Sequence, residues 1–164
     1  MPPNSSDLLQ VFTRYPVPGQ AKTRLIPTLG REGAARLQFL MTRHLLEQAL
    51  KLPSGAAVEV RFSGGSRKLM SALFGADLEM IPQTGQDLGA RMASALNQGL
   101  TLAERVVLVG SDCPFVDGSL LCRAFEKLLD HDVVFGPAAD GGFYLIGLSR
   151  RAAEGGVADL FSGI

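Results

Sequence analysis

A loop near the N-terminus gathers cations and a hydroxyl between proline and glycine residues. Within segment 13–25 the residues able to do chemistry are Arg14, Gly19, Lys22, Thr23 and Arg24. Arginine can grip two phosphate oxygens, lysine adds a point charge, and glycine lets the backbone approach a ligand closely. The segment therefore predicts a phosphate site with a nucleotide as its natural ligand. A solvated basic loop has the same composition, and neither the GxxxxGK[ST] nor the GxGxxG spacing is present.

A carboxylate follows an apolar run in the middle of the chain. Asp112 comes shortly after the run 106–109, inside Gly-Ser-Asp-Cys-Pro. A carboxylate at the end of a buried strand is suited to hold Mg²⁺ or Mn²⁺. The alternative is an aspartate that caps a turn before the next helix. The neighbouring Cys113 has no evident partner base, so we expect a small, partly buried residue rather than a nucleophile.

An Asp-Gly-Gly turn separates two apolar runs later in the chain. The two glycines, Gly141 and Gly142, allow tight curvature around a bound group. Asp140 can then bind a sugar or acceptor hydroxyl, act as a base, or support a metal ligand. An Asp-Gly pair is equally typical of a plain hairpin.

A polar segment also opens a predicted helix at 87–102. The N-terminus of this helix favours an anionic ligand, and the side chains of Gln83, Gln86 and Arg91 are candidates to contact a base or ribose. Asp87 lies in the same segment. A first-turn carboxylate that stabilises the helix dipole explains it equally well.

Short β-branched runs and longer helical stretches alternate around these segments. The predicted strands cover 8–12, 57–62, 78–81, 106–109, 133–135 and 143–146, and the predicted helices cover 31–51, 67–74, 87–102 and 118–129. This alternation predicts an α/β fold with a mostly parallel sheet in three layers, with the ligand at the carboxyl ends of the strands. The first helix is expected to bury a stripe that contains Leu37, Leu40, Met41, His44 and Leu45.

Composition limits the partners of the chain. The 164 residues predict a single domain, and 16 basic residues balance 16 acidic ones. Zero net charge argues against binding to nucleic acid or an anionic membrane. The two cysteines, with no signal peptide and no apolar run long enough to span a membrane, predict a cytoplasmic protein. The oligomeric state is not predicted.

The order of the motifs resembles a bacterial family. Segments 12–25, 86–92, 110–114 and 136–148 are similar to glycosyltransferase-like proteins known as domain of unknown function 2064, or transferase 1 associated with selenium and radical-SAM domains. The resemblance implies the Rossmann-like nucleotide-diphospho-sugar transferase fold, also called the A-type glycosyltransferase fold. The Lys-Thr-Arg-Leu loop and the Asp-Gly turn also look like those of 2-phospho-lactate guanylyltransferase, a nucleotidyltransferase of the same superfamily.

The resemblance implies roles for individual residues. Lys22 and Arg24 would bind nucleotide phosphates, Asp112 would hold Mg²⁺ or Mn²⁺, and Asp140 with Gly141 would line the acceptor or sugar pocket. Relatives continue beyond this chain to a late carboxylate that often completes the metal site. The expected domain, 1–164, therefore lacks that C-terminal segment, and Asp159, its late carboxylate, does not match the position.

A function follows from the resemblance. We expect a metal-dependent transferase, glycosyltransferase-like, that uses a nucleotide or nucleotide-sugar and a small-molecule acceptor, with Asp112 and Asp140 as its catalytic carboxylates. One alternative is a nucleotidyltransferase that releases pyrophosphate. A non-catalytic nucleotide-binding domain is the other.

Overall fold

A computed structural model describes residues 5–53 and 55–161, apart from the side chains of residues 158 and 159. These residues form a sheet with helices on both sides. The strands are β1 (Asp7–Arg14), β2 (Ala57–Ser63), β3 (Glu79–Pro82), β4 (Arg105–Gly110), β5 (Val133–Pro137) and β6 (Phe143–Ser149). The helices are α1 (Ile26–Ala49), α2 (Arg67–Phe74), α3 (Leu88–Leu102), α4 (Gly118–Asp130) and α5 (Arg150–Ala153), with 3-10 turns at Thr23–Leu25 and Val157–Phe161.

The strand order is β3-β2-β1-β4-β6-β5. The first four strands run parallel, with Phe12 of β1 opposite both Arg61 of β2 and Gly110 of β4. Strand β6 is antiparallel to both β4 and β5. The predicted mostly parallel α/β sheet is therefore confirmed. The carboxyl ends of β1, β3, β4 and β5 and the start of β6 meet at one edge.

Two apolar cores lie on opposite faces of the sheet, because successive strand side chains point to opposite sides. Leu9 and Val11 of β1 pack with residues of α1, α2 and α4, whereas Leu8 and Phe12 pack with α3. Strand β4 contributes to both cores and is buried along Val106–Val109. This is the three-layer arrangement that the sequence predicts.

The buried face of α1 differs from the predicted one. Helix α1 begins earlier than expected, at Ile26, and is kinked at Gly30, whose φ of 73° is not helical. Leu40 is 36% exposed and His44 is also exposed, so the predicted stripe is wrong at these positions. The face that packs on the sheet contains small and polar residues, namely Ala34, Ala35, Gln38, Thr42, Leu45, Leu46 and Ala49.

Candidate active site

A cleft of about 890 Å³ opens at the edge where the carboxyl ends of the parallel strands meet. Its floor includes Phe12, Thr13, Gly110 and Ser111, from the ends of β1 and β4. Loops after β1, β3, β4 and β5 form its walls. Ligands of open α/β sheets bind at this edge, so the cleft is the candidate site.

The loop after β1 holds Lys22 in an unusual conformation. Among the described residues, Lys22 is the only non-glycine residue with a positive φ, at 47°. A left-handed non-glycine residue costs about 1 kcal/mol or more and tends to occur at functional sites. Lys22 lies between a turn at Gly19, where φ is 83°, and the 3-10 turn that starts at Thr23.

Lys22 is joined to Asp112 across the cleft. The Lys22 Nζ donates to Asp112 Oδ1 at 2.9 Å, and the two residues are 90 positions apart in the chain. Adjacent placement of β1 and β4 brings them together. The lysine side chain is only 10% exposed, while the aspartate is 69% exposed. The pair therefore joins a sheltered cation to an accessible carboxylate.

A buried polar network supports the floor below this ion pair. Gln38 Nε2 of α1 lies within hydrogen-bond distance of Thr13 Oγ1 at 3.2 Å, Thr42 Oγ1 at 3.2 Å and Ser111 Oγ at 3.1 Å. Ser111 Oγ donates to Thr13 Oγ1 at 3.0 Å, and the two threonine hydroxyls are 2.7 Å apart. The network connects the ends of β1 and β4 to α1. Its members Thr13 and Ser111 directly precede the cleft residues Arg14 and Asp112.

Sequence reasoning missed this network. Its signal was present, because Thr13 and Ser111 are small hydroxyl residues at the ends of two predicted apolar strands. Polar residues at such positions are buried only when they bond to each other or to the backbone.

The α3 side of the cleft contains the next pair of polar residues. Gln83 Nε2 donates to Arg61 O at 2.9 Å and to Thr13 O at 3.2 Å, which leaves its carbonyl oxygen for a ligand. Arg91 lines the cleft and donates to Gly85 O at 3.1 Å. Asp87 accepts from Ala90 N at 2.7 Å as the N-cap of α3, so it lies one residue before the helix and not in its first turn, where the dipole interpretation expected it. Its carboxylate still stabilises the N-terminus of the helix.

The opposite side of the cleft is acidic and aromatic. Asp140 Oδ1 accepts from Gly142 N at 3.0 Å and so shapes the β5–β6 turn. Phe143 and Tyr144 follow at the start of β6 and line the cleft. The Tyr144 ring meets Phe115 edge to face, with ring centroids 5.0 Å apart.

The two halves of the cleft carry opposite charge. Arg14 ends β1, Lys22 and Arg24 follow that strand, and Arg91 belongs to the helix after β3. The lining cations therefore lie on the β3-β2-β1 side. Both lining carboxylates, Asp112 and Asp140, belong to the β4-β6-β5 side. The Lys22–Asp112 pair stands at the boundary between the halves.

Most of the site residues predicted from the sequence line this cleft. The residues that do so are Arg14, Lys22, Thr23, Arg24, Gln83, Asp112, Asp140 and Gly142. Gly19, Gln86 and Gly141 are not among the lining residues. Gly19 shapes the first loop through its φ of 83°, a left-handed conformation that favours glycine.

Two carboxylates, Asp112 and Asp140, line the cleft, and Asp112 is the candidate ligand for a divalent cation. Among residues 5–53 and 55–161, no group of three His, Cys, Asp or Glu side chains could hold a metal ion. Mg²⁺ commonly keeps several waters and binds one or two carboxylates together with substrate phosphates. The exposed Asp112 fits that pattern, provided that phosphate oxygens supply further ligands. The side chain of Asp159 lies outside the described part of the chain.

Cys113 is not an activated nucleophile. Burial, followed by the Asp112 carboxylate, raises the pKa of its thiol, and nearby Lys22 only partly opposes this. A raised pKa reduces the thiolate fraction at neutral pH. The sequence-based expectation of a partly buried residue agrees with this environment.

A second buried polar network lies away from the cleft wall, between the sheet and α3. Glu59 Oε1 pairs with Arg61 Nη2 at 2.6 Å and accepts from Gln10 Nε2 at 2.7 Å. The Glu59 and Arg61 side chains are at most 5% exposed. Gln10 Nε2 also lies 2.7 Å from Ala95 O, while its own Oε1 is buried without a partner. This network fixes β1, β2 and α3 behind the cation side of the cleft.

Comparison with protein families identifies the chain. The family described as "Uncharacterized protein conserved in bacteria (DUF2064)" matches residues 45–164. The chain belongs to this family. The resemblance read from the motifs is therefore confirmed. No curated protein matches the chain.

Solved structures confirm the fold. A "putative nucleotide-diphospho-sugar transferase" from Desulfovibrio desulfuricans G20 is 33% identical, with a TM-score of 0.89 over 98% of this chain and 69% of that chain. The 4-diphosphocytidyl-2C-methyl-D-erythritol synthase of Anaerococcus prevotii is 8% identical and has a TM-score of 0.60, covering 98% of this chain and 78% of its own. The DUF2064 chain thus has the nucleotide-diphospho-sugar transferase fold.

A more distant structure was solved with a nucleotide bound. A CMP:2-keto-3-deoxy-manno-octonic acid synthetase complexed with CTP is 12% identical, with a TM-score of 0.57 over 96% of this chain and 78% of that chain. At this identity the likeness concerns the fold alone.

No helix among the described residues is long and apolar enough to cross a membrane.

Proposed function

We propose that this DUF2064 chain is a transferase that binds the phosphates of a nucleotide or nucleotide-sugar on the cation side of the cleft. The observation that carries the proposal is the division of charge, with Arg14, Lys22, Arg24 and Arg91 facing Asp112 and Asp140. Negative charge develops on the leaving phosphate in such a transfer, and fixed cations stabilise it. The 33% identical Desulfovibrio relative, named a "putative nucleotide-diphospho-sugar transferase", supports this choice.

Each side chain has a role in the proposed site. Lys22, sheltered and held by its loop, places a charge beside the phosphates. Arg24 is exposed in the 3-10 turn and can contact further oxygens. Gln83 offers its carbonyl oxygen to a donor group of the base, because both of its amide hydrogens face backbone carbonyls. Mg²⁺ or Mn²⁺ at Asp112, when bound, would neutralise charge on the leaving group.

Glycosyl transfer is the preferred chemistry, and nucleotidyl transfer is the second candidate. In the first, an acceptor oxygen attacks the anomeric carbon of the sugar and a nucleoside diphosphate leaves. In the second, an acceptor attacks the α-phosphorus and pyrophosphate leaves. The synthetase complexed with CTP has the same fold, so in that protein the fold accommodates a nucleoside triphosphate. Both chemistries use the cation side in the same way.

Binding and turnover of a nucleotide panel test the proposal. We expect binding to depend on Lys22, with Lys22→Ala weakening it about tenfold or more, since a charge-assisted phosphate contact is lost. We expect turnover with Mg²⁺ or Mn²⁺ to be lost in Asp112→Ala. Lys127→Ala and Asp130→Ala on α4 are matched controls that remove exposed charges outside the cleft. Binding without turnover in any metal would instead indicate a non-catalytic nucleotide-binding domain.

A further inference from the structure

The acid side of the cleft differs in chemistry from the cation side. The acid side of the cleft is lined by Cys113, Ala138, Asp140, Gly142, Phe143 and Tyr144. Among the described residues, no lysine or arginine lines this side. Asp112, at its border, is already engaged by Lys22. Half-buried aromatic rings and small residues supply most of the surface around Asp140.

The nearest later cations lie elsewhere. Arg150 and Arg151 follow β6, but they stand at the opposite edge of the sheet. Arg150 Nη1 donates to Glu104 Oε1 at 2.7 Å and Arg151 Nε donates to Asp132 Oδ1 at 2.8 Å. Each is therefore neutralised by a local carboxylate and is far from the β5–β6 turn.

We propose that the second substrate, the acceptor, is an uncharged hydroxyl compound and not a phosphate or carboxylate. This inference rests on the proposed function, which places the donor phosphates on the cation side. An anionic acceptor beside Asp140 would meet a like charge, and none of the residues that line the cleft from the β4-β6-β5 side carries a positive charge to offset it. A hydroxyl compound instead donates a hydrogen bond to Asp140 and packs its carbon skeleton against Phe143 and Tyr144.

The chemistry of the transfer favours the same acceptor. The acceptor oxygen forms a bond to the transferred group, and the bond from that group to the leaving phosphate oxygen breaks. The leaving nucleoside diphosphate keeps the electron pair, and the hydroxyl proton passes to the Asp140 carboxylate. A hydroxyl acceptor needs such a base, whereas a phosphate or carboxylate acceptor is already ionised.

Matched probes test the inference. The protein is first saturated with Mg²⁺ and the nucleoside diphosphate that binds most tightly in the panel. Glycerol against glycerol 3-phosphate, and glucose against glucose 6-phosphate, are then titrated with ligand-observed saturation-transfer NMR as the readout. We expect each neutral probe to bind at least about tenfold more tightly than its phosphorylated partner, because like charge and desolvation both oppose the anion.

Asp140→Asn assigns the preference to one side chain. We expect it to reduce the ratio of neutral to phosphorylated affinity about fivefold, as the removal of one partly screened charge interaction predicts. Asp130→Asn, which removes an equivalent charge from α4, leaves the ratio unchanged.

The outcomes separate the two proposals. If no nucleotide binds, the proposed function fails before any probe is added. If a nucleotide binds but a phosphorylated probe binds as tightly as its neutral partner, the acceptor inference alone is overturned. It is also overturned if no probe binds, or if Asp140→Asn leaves the ratio unchanged.

Discussion

Loss of the Asp112 charge is expected to have opposite effects on phosphate binding with and without a divalent cation. In the free protein, Asp112 engages Lys22 at 2.9 Å, so an incoming phosphate must compete for the ammonium group. Asp112→Asn removes that competition. With Mg²⁺ present, the same substitution removes the proposed carboxylate ligand. The affinity for inorganic pyrophosphate should therefore rise in metal-free buffer and fall in Mg²⁺.

The size of the metal-free effect follows from the geometry. Two unit charges 2.9 Å apart attract by about 1.4 kcal/mol at the dielectric constant of water and about 6 kcal/mol at an effective value of ~20. Because Asp112 is 69% exposed, solvent screens the pair towards the lower limit. A net value of about 1 kcal/mol is in the range of exposed ion pairs and corresponds to about a fivefold gain in affinity.

Calorimetric titration of pyrophosphate, with EDTA and then with excess Mg²⁺, measures both effects. Asp140→Asn is the matched control, because it removes a cleft carboxylate that does not contact Lys22. Its gain in metal-free affinity should be clearly smaller. Weaker pyrophosphate binding by Asp112→Asn in EDTA, or the same behaviour of the two variants in both buffers, would contradict a competition between phosphate and Asp112 for Lys22.

Three further predictions concern groups around the cleft. Gln38→Met should lower the free energy of unfolding by about 1–3 kcal/mol, because the buried hydroxyls of Thr13, Thr42 and Ser111 lose a hydrogen-bond partner. Calorimetry measures the change, and an unchanged melting temperature would contradict a stabilising role of this network. Arg61→Met should cost about 3–5 kcal/mol in denaturant unfolding by leaving Glu59 buried and unpaired, and Glu59→Gln in the same chain should recover part of it. Asp112→Asn should lower the raised pKa of Cys113, because the Asp112 carboxylate contributes to raising it. Alkylation of Cys113 by iodoacetamide near pH 8, measured by mass spectrometry, should then be faster, and a slower reaction would contradict the direction of this shift.

The sequence predicts most secondary-structure elements because their apolar periodicity is strong. Helix α2 has the predicted bounds, 67–74, and β4 extends the predicted run by one residue at each end. The face of α1 was misjudged because exposed leucines such as Leu40 compete with Ala34 and Ala35 in a hydrophobicity pattern. Small residues pack closely on a sheet, and their burial is set by tertiary fit that no periodicity encodes.

The candidate site was predicted in its parts but not in its connections. The rule that ligands bind after strand ends places Arg14, Lys22, Asp112 and Asp140 in one cleft, as the structure shows. The ion pair between Lys22 and Asp112 depends on the adjacency of β1 and β4, which a single sequence does not reveal. The buried network around Gln38 was missed for the same reason, since its members come from separate elements.

In the proposed complex, nucleotide phosphates bind beside Lys22 and Arg24, and a divalent cation binds at Asp112. A crystal structure of the chain with Mn²⁺ and a nucleoside diphosphate tests it most directly, since anomalous scattering locates the metal. We expect a manganese peak within coordination distance of Asp112 and phosphate oxygens within hydrogen-bond distance of Lys22 Nζ. A metal bound elsewhere, or phosphates on the Asp140 side of the cleft, would contradict it.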